Sequence, residues 1–485
     1  MKRFFPLIAV TMALGVFGAF SRLPQSQVFV SRHENVLGTS LELKFRAANE
    51  KQADKAEAAA LAEIDRLNLI LSAWNSNSEF SRWARTQNVA VPVSPELFEV
   101  LGLFDAWKTR SQGALDASAE AFGRLWKKGK LPSQDAMAAT LASVRQAHWK
   151  LDPIAHTATH LSTTPIALNS FAKSYVVQHA ADAALAAGAL GAVVNVGGDL
   201  VVRGQFEETI SVADPRNDAE NATPIATLQA NGMAVATSGN YRRGVSIDGH
   251  HYSHIIDPRT GIPADHVLSS TVIARDAVEA GALATAFSVL SLQESAILAR
   301  SFPGIQYMIV PASGAIVQSA GWTAVAAQAP TAASPYELTI QMELASIQAQ
   351  RYRRPFVAIW VEDKDKYPVR TVALWFDKTR WIPELKSWYR GDRMRTLSEG
   401  TDITGSVSSA TRPPGKYSIK WDGKDNAGKL VKPGKYTVFI EATREHGGYQ
   451  ILRQEIDIPG ATAQFTLPGG AELGAVTLEY RKSGR

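Results

Sequence analysis

The chain has 485 residues, 45% of them hydrophobic, and a formal net charge of +5. This length exceeds what one hydrophobic core usually supports, so we expect two or three domains. The positive excess is small and dispersed, with no Lys/Arg run between aromatic residues, and this disfavours a nucleic-acid-binding protein. Cysteine is absent, which excludes disulfides, thiolate metal sites and cysteine nucleophiles.

The first residues, MKRFFPLIAVTMALGVFGAF, start with Lys2 and Arg3 and continue as an apolar run. This pattern is typical of a secretory signal peptide, and we assign residues 1–24 to a signal peptide or an N-terminal anchor. The run is also near the length that spans a bilayer, so cleavage and attachment to the inner membrane both stay open. Either alternative predicts a periplasmic or otherwise extracytoplasmic protein.

Helices and strands are mixed along the first part of the chain, without the regular βαβ alternation of a doubly wound sheet. This favours an α+β domain. Hydrophobic periodicity predicts strands at 37–47, 191–204 (interrupted by a glycine pair and then resumed), 304–312 and 314–322, and helices at 54–74, 94–108, 134–147, 171–190 and 277–292.

The composition changes at residues 326–335, AAQAPTAASP, which we interpret as a linker of small residues and prolines. Beyond it, short alternating runs such as YELTIQMEL and PFVAIWVED are separated by turn sequences. This spacing predicts an all-β, immunoglobulin-like sandwich over residues 336–485. Residues 375–390 are rich in aromatics, and they suit a binding surface and a sandwich core equally well.

The stretch VVNVGGDLVVRG contains Asn195, Gly197, Gly198 and Asp199. Two adjacent glycines leave the backbone open to close approach by a ligand, and the carboxylate can accept hydrogen bonds from it. A tight turn or a β-bulge explains the glycines equally well. The third glycine of the dinucleotide-binding fingerprint is missing.

Two further stretches suit a phosphate. Residues 235–244, VATSGNYRRG, offer Thr237, Ser238 and the backbone around Gly239, although a polar turn would need the same residues. The second stretch is residues 251–263, HYSHIIDPRTGIP. Its Arg259 can hold phosphate oxygens, and its His254 can orient a phosphate or bind a metal. The polar residues of this second stretch are His254, Asp257 and Arg259.

Taken in order, several motifs resemble the FAD:protein FMN transferases of the ApbE type, over residues 33–325. They are LGTS at 37–40, LSAWNSNSEFSRW with Glu79, QGALDAS with Asp116, ALNSFAKSY with Lys173, NVGGD, ATSGNY and SHIIDPRTG. The resemblance implies that FAD is bound by Glu79, Asp116, Lys173, Asn195, Gly197, Gly198, Asp199, Thr237, Ser238, Gly239 and His254.

The resemblance also implies the reaction: Mg²⁺-dependent transfer of FMN from FAD to a Thr or Ser hydroxyl of an exported acceptor protein, with release of AMP. The acceptor would carry a motif similar to Ser/Thr-Gly-Ala-Thr. His254, Asp257 and Arg259 are the expected catalytic residues. Thr285 is the expected metal ligand.

The chain departs from the family pattern at two places. Gly281 occupies the position of an aspartate metal ligand. In the loop around Lys173, Ala167, Asn169 and Ser170 replace the family's aspartate and two glycines, and Ser174 replaces the glycine that follows Lys173. Three hypotheses therefore stay open: an active transferase, a weakened FAD-binding or flavin-carrying redox component, and a hydrolase that splits FAD to FMN and AMP.

The C-terminal part resembles an uncharacterised extracytoplasmic β-domain that is often associated with these transferases. The sequence GSVSSAT at 405–411 is similar to part of the flavin-acceptor motif. Self-flavinylation at Thr411 is therefore a second hypothesis, next to an ordinary polar turn before a strand.

Overall fold

The structure, a computed structural model, describes residues 26–217, 219, 221–240, 244–322, 335–346, 352–445 and 447–482. Within these ranges, no helix combines the length and the hydropathy needed to cross a bilayer. The predicted signal or anchor segment 1–24 and most of the predicted linker 326–335 lie outside them.

The first domain contains both helices and strands, as predicted. Its strands are β1 Gln27–Val36, β2 Thr39–Ala47, β3 Ala90–Pro92, β4 Trp149–Asp152, β5 Thr157–His160, β6 Gly191–Val196, β7 Asp199–Gly204, β8 Glu208–Val212, β9 Ala226–Ala230, β10 Ala234–Gly239, β11 Gly244–Ile247, β12 His250–Ser253, β13 Val267–Ala274, β14 Gln306–Pro311 and β15 Val317–Gln318. Its helices are α1 Glu50–Leu71, α2 Glu79–Trp83, α3 Pro95–Arg110, α4 Ala119–Trp126, α5 Gln134–Val144, α6 Ala172–Ala186, α7 Ala277–Val289 and α8 Leu292–Ala299.

A large antiparallel sheet is the frame of this domain. Among the described residues it has eight strands in the order β1-β2-β6-β7-β10-β13-β14-β15. Strand β2 shows why one face of the sheet is covered: Leu41, Leu43 and Phe45 alternate with partly exposed residues, and each is at most 1% exposed. This two-residue period gives a strand with one apolar face. Helices α1, α6 and α7 pack against that face and share its core.

The glycine pair between β6 and β7 reverses the chain. The prediction of one strand that resumes after the pair is wrong, because β6 and β7 form an antiparallel hairpin. Gly197 and Gly198 have φ angles of 58° and 100°, a region that favours glycine. A Cβ on Gly197 would lie 2.7 Å from the Thr39 side chain, so the turn also needs the missing side chain.

The second domain is rich in strands. They are β16 Tyr336–Leu344, β17 Phe356–Asp363, β18 Pro368–Trp375, β19 Ser408–Ser409, β20 Gly415–Trp421, β21 Gly434–Thr443, β22 Tyr449–Ile458, β23 Ala463–Leu467 and β24 Leu473–Lys482, and the helices are α9 Lys386–Glu399 and α10 Thr404–Val407.

Two sheets of this domain, β20-β16-β24-β23 and β19-β18-β17-β21-β22, enclose a common apolar core. The prediction of a strand-rich second domain is confirmed, but it is not purely β because α9 interrupts the strands. The immunoglobulin-like classification stays a prediction. Within residues 375–390, Phe376 and Trp388 are 2% exposed and pack on Trp360, so they belong to a core between α9 and the larger sheet.

Strand β1 joins the two domains. Its Ser31 forms an isolated antiparallel bridge with Lys378. Arg32 lies next in the chain; its Nη2 donates to Ser408 Oγ at 3.1 Å, and its guanidinium stacks over the Phe376 ring. The first strand of one domain is therefore part of the interface with the other.

Two carboxylates of the first domain also bind the second. Glu57 on α1 accepts hydrogen bonds from His33 and from Lys378 Nζ, both at 2.9 Å. Burial alone would raise the pKa of Glu57, but these bonds and the charge of Lys378 outweigh it and hold the pKa at about 2. Glu34 accepts from Thr411 Oγ1 at 3.2 Å and also pairs with Arg354.

We predict that Glu57→Gln lowers the thermal midpoint at pH 7, by the equivalent of about 1–3 kcal/mol, because a neutral amide forms weaker bonds with Lys378. Because the pKa of Glu57 is lowered in the folded state, its carboxylate stabilises the fold at pH values above 4.5, the ordinary pKa of a glutamate. This stabilisation is lost as the pH falls from 4.5 toward about 2. The difference between variant and parent should therefore shrink from pH 7 to pH 3, as followed by circular dichroism.

The matched control is Glu63→Gln on the same helix, because Glu63 pairs with Arg66 inside the first domain. We expect its effect to be smaller, since Arg66 is exposed. A Glu57→Gln effect of equal size at pH 7 and pH 3 would contradict this account of Glu57.

Candidate functional site

Polar residues of four separate sequence segments meet where α6 and α7 lie beside the sheet. We call Lys173, Ser174, Asp199, Ser238 and Thr285 the central cluster. They come from four places in the sequence: Lys173 and Ser174 from the first turn of α6, and the other three from the start of β7, the end of β10 and the body of α7. Hydrogen bonds and one ion pair connect them into two groups.

The first group surrounds Asp199. Lys173 Nζ lies 3.7 Å from Asp199 Oδ2, and Ser174 Oγ donates to the same oxygen at 3.3 Å. Burial raises the pKa of Asp199, and the Lys173 charge only partly offsets this. Asp199 follows the glycine turn directly, and Asn195 Oδ1 stiffens that turn by accepting from Gly198 N at 3.2 Å.

The second group surrounds Thr285. Its Oγ1 donates to the Ser170 carbonyl at 3.1 Å and lies 3.4 Å from Ser238 Oγ. Thr237 points to a different neighbour, since its hydroxyl pairs with Thr271 on β13 at 3.0 Å. Ser238 and Thr285 therefore connect the end of β10 to the loop before α6.

The N-terminus of α6 borders this cluster. Its N-cap, Phe171, makes no side-chain hydrogen bond to the first turn. The first N–H groups of a helix have no partner within the helix, and they carry a partial positive charge that attracts anions. Together with Lys173 and the glycine turn, this arrangement suits a phosphate group.

The Asp-Pro-Arg-Thr-Gly turn is held by its own contacts. Arg259 donates from Nε and Nη2 to Asp257 and from Nη1 to Glu294, with distances of 2.9–3.1 Å. Gly261 has a φ of 76° and packs on Phe122. The Arg259 guanidinium is therefore engaged by two carboxylates in this conformation. The catalytic roles of Asp257 and Arg259 stay predictions.

The remaining predicted residues have separate surroundings. Glu79 Oε1 accepts from the Ser94 backbone N–H at 2.6 Å. Asp116 is 6% exposed, accepts from Ser118 Oγ at 2.6 Å and pairs with Lys108 at 2.7 Å. His254 is exposed on the segment between β12 and the turn. Gly239 ends β10, and residues 241–243 of the same motif lie outside the described residues.

Sequence reasoning missed two partners. Glu294 belongs to a visible capping box, Ser291-Leu-Gln-Glu294, but its ion pair with Arg259 depends on tertiary packing. For Ser174, the sequence indicates only a departure from the family pattern. The structure shows that its hydroxyl binds Asp199 within the central cluster.

The described residues do not fit the Asp–Thr metal-ligand pair that the resemblance implies. Thr285 is present, but Gly281 offers no oxygen, and a Cβ at this position would lie 2.2 Å from Ser174 Oγ. No group of three or more acidic or histidine side chains among these residues is arranged to hold a metal ion. Mg²⁺ requires oxygen ligands in near-octahedral geometry, and Thr285 without a carboxylate at 281 does not supply them.

We predict that Glu294→Ala destabilises the chain by about 1–2 kcal/mol, because it removes both the capping box and the ion pair with Arg259. Glu294→Gln keeps a side chain that can complete the capping box, so its expected cost is below about 1 kcal/mol. Thermal unfolding of both variants at pH 7 measures the difference. Equal costs would show that the ion pair, not the cap, dominates at this position.

The chain is similar to several known proteins of one family. The chain is 29% identical over 289 residues to an FAD:protein FMN transferase of Klebsiella pneumoniae, which covers 56% of this chain and 82% of that protein. It is 27% identical over 326 residues to the protein of the same name from Haemophilus influenzae. This alignment covers 63% of this chain and 92% of the Haemophilus protein.

Solved structures show the same fold. The ApbE protein of Thermotoga maritima superposes with a TM-score of 0.55 at 29% identity, covering 61% of this chain and 97% of that one. The apo flavinyl transferase ApbE of Pseudomonas stutzeri has a TM-score of 0.52 at 25% identity, covering 61% and 95%.

Two family models match the chain. Residues 337–475 match a predicted periplasmic protein family, DUF2271. Residues 37–309, more than half of the chain and the whole of the central cluster, match the ApbE family. The chain therefore belongs to the ApbE family.

Proposed function

We propose that this chain is an extracytoplasmic FAD:protein FMN transferase, which moves FMN from FAD onto a Thr or Ser hydroxyl of an exported protein. The observation that carries the proposal is the central cluster beside the N-terminus of α6. Lys173 provides a cation, the first turn of α6 provides backbone donors, and the glycine turn allows close approach. Such a site matches the pyrophosphate of FAD.

In the proposed reaction, the acceptor hydroxyl oxygen bonds to the phosphorus of the FMN half. The bond between that phosphorus and the bridging oxygen breaks, and AMP leaves with that oxygen. We assign His254 to accept the hydroxyl proton, which then passes to solvent, because an imidazole nitrogen can serve as a general base. Lys173 and the α6 backbone stabilise the negative charge on the transferring phosphate.

The acceptor is proposed to be a separate protein. Thr411, the internal candidate, is 4% exposed, and its hydroxyl donates to Glu34 in the interface between the domains. A buried hydroxyl in this position is not accessible to bound FAD. Self-flavinylation would require the interface at Glu34 to open.

A flavin-binding protein with weak transfer activity is the second candidate. Gly281 favours it, because the carboxylate implied by the family pattern is absent while Lys173, Asp199 and the glycine turn remain. Binding and transfer must therefore be measured separately.

The test incubates the purified full-length chain with FAD, with and without Mg²⁺, and with a protein that displays a Ser-Gly-Ala-Thr segment. We expect the acceptor to gain the mass of the FMN group, with one AMP released for each label. An acceptor with Val in place of its Thr should stay unlabelled. FAD binding without labelling in either buffer would overturn the transferase proposal, and free FMN plus AMP would indicate a hydrolase.

Lys173→Met should lower kcat/KM for labelling by about 100-fold, because a cation that faces the transferring phosphate is lost. The matched control is Lys435→Met, since Lys435 lies in the second domain and pairs with exposed Glu455. Equal activity of both variants would contradict the assigned role of Lys173.

A further inference from the structure

Helix α7 packs tightly against Ser174 of α6 and the preceding Phe171 at Gly281. A Cβ built on Gly281 would lie 2.2 Å from Ser174 Oγ, 3.0 Å from Ser174 Cβ and 3.4 Å from Phe171 Cβ. Real Cβ atoms essentially never come within 3.0 Å of a non-bonded heavy atom of a residue that is not adjacent in the chain. Gly281 is in a regular helix, so its need for glycine comes from packing and not from an unusual backbone angle.

Ser174 is not free to move away from Gly281. Its side chain is buried, with the residue only 2% exposed, and its hydroxyl donates to Asp199 Oδ2. Rotating the hydroxyl would leave Asp199 with Lys173 alone. The serine therefore fills the volume beside position 281 and is held there by a carboxylate of the same site.

The two departures from the family pattern are thus complementary. A glycine at 174 would leave room for a side chain at 281, and a serine at 174 removes that room. The exchange also removes one negative charge, so the cluster keeps the carboxylate of Asp199 beside the ammonium of Lys173. A pair of opposite charges needs less compensation by a metal ion than two carboxylates do.

We infer that Ser174 and Gly281 together exclude a divalent cation from the central cluster, so that Lys173 is the cation facing the phosphates of bound FAD. The inference rests on the proposed function for its ligand, FAD. It concerns how this chain binds the ligand and not whether transfer follows.

The test titrates Mn²⁺ into the full-length chain with FAD and records free Mn²⁺ by electron paramagnetic resonance, with FAD alone as the blank. We expect the parent chain to bind no more Mn²⁺ than the blank, and to bind FAD with the same Kd in Mg²⁺ and in EDTA. The double variant Ser174→Gly/Gly281→Asp should bind Mn²⁺, and Mg²⁺ should tighten its FAD binding by about tenfold or more.

Three controls locate the effect. Ser174→Gly alone opens the space without adding a carboxylate, so it should bind no Mn²⁺. Gly281→Asp alone should unfold at a lower temperature than the double variant, because its side chain collides with Ser174. Adding Thr285→Ala to the double variant should weaken the new Mn²⁺ binding, which assigns it to this cluster.

The outcomes separate this inference from the proposed function. Stoichiometric Mn²⁺ binding by the parent chain, or FAD binding that EDTA weakens about tenfold, would overturn the inference. Cation-independent FAD binding without acceptor labelling would support it and overturn the transferase proposal. If FAD binds in neither buffer, both are wrong. The Mn²⁺ titration of the parent chain and its FAD affinity in Mg²⁺ and in EDTA stay decisive even if the double variant does not fold.

Discussion

The close contact between α6 and α7 is the constraint on which the candidate site depends. Gly281 of α7 has no side chain at this contact, and both helices are rich in small buried residues, which are Ala180, Ala181 and Ala184 of α6 and Ala280 and Ala284 of α7. Without bulky side chains between them, both helices lie directly on the sheet. Lys173 and Thr285 therefore reach the ends of β7 and β10, and no loop has to bring them together.

The same contact limits which side chains the site can contain. The side chain at 174 limits the size of the side chain that fits at 281, because both would occupy the same space between the helices. The packing also limits the charge of the site. Because there is no space for a second carboxylate at 281, the charge of Asp199 is compensated by Lys173 and by a hydrogen bond from the Ser174 hydroxyl. Burial, which raises the pKa of Asp199, makes that balance necessary.

The sequence predicted the parts of this site whose signals are local. Helix α3 begins with a Ser94 cap and Pro95, and the Gly197–Gly198 pair marked a turn, although its reversal of the chain was missed. Contacts between distant segments had no such signal. The ion pair between Arg259 and Glu294 and the burial of Thr411 against Glu34 depend on the tertiary packing of helices and strands. Periodicity and motif spacing carry no information about that packing.

Strand β1 lies at one end of the eight-stranded order, with β2 as its neighbour within that sheet. Edge strands offer unpaired backbone groups to other chains and favour aggregation unless they are covered. In this protein, residues of the second domain lie along that edge, through the bridge from Ser31 to Lys378 and the bond from Arg32 to Ser408. The second domain thus covers part of the exposed edge of the first domain's sheet, a structural contribution that is independent of flavin chemistry.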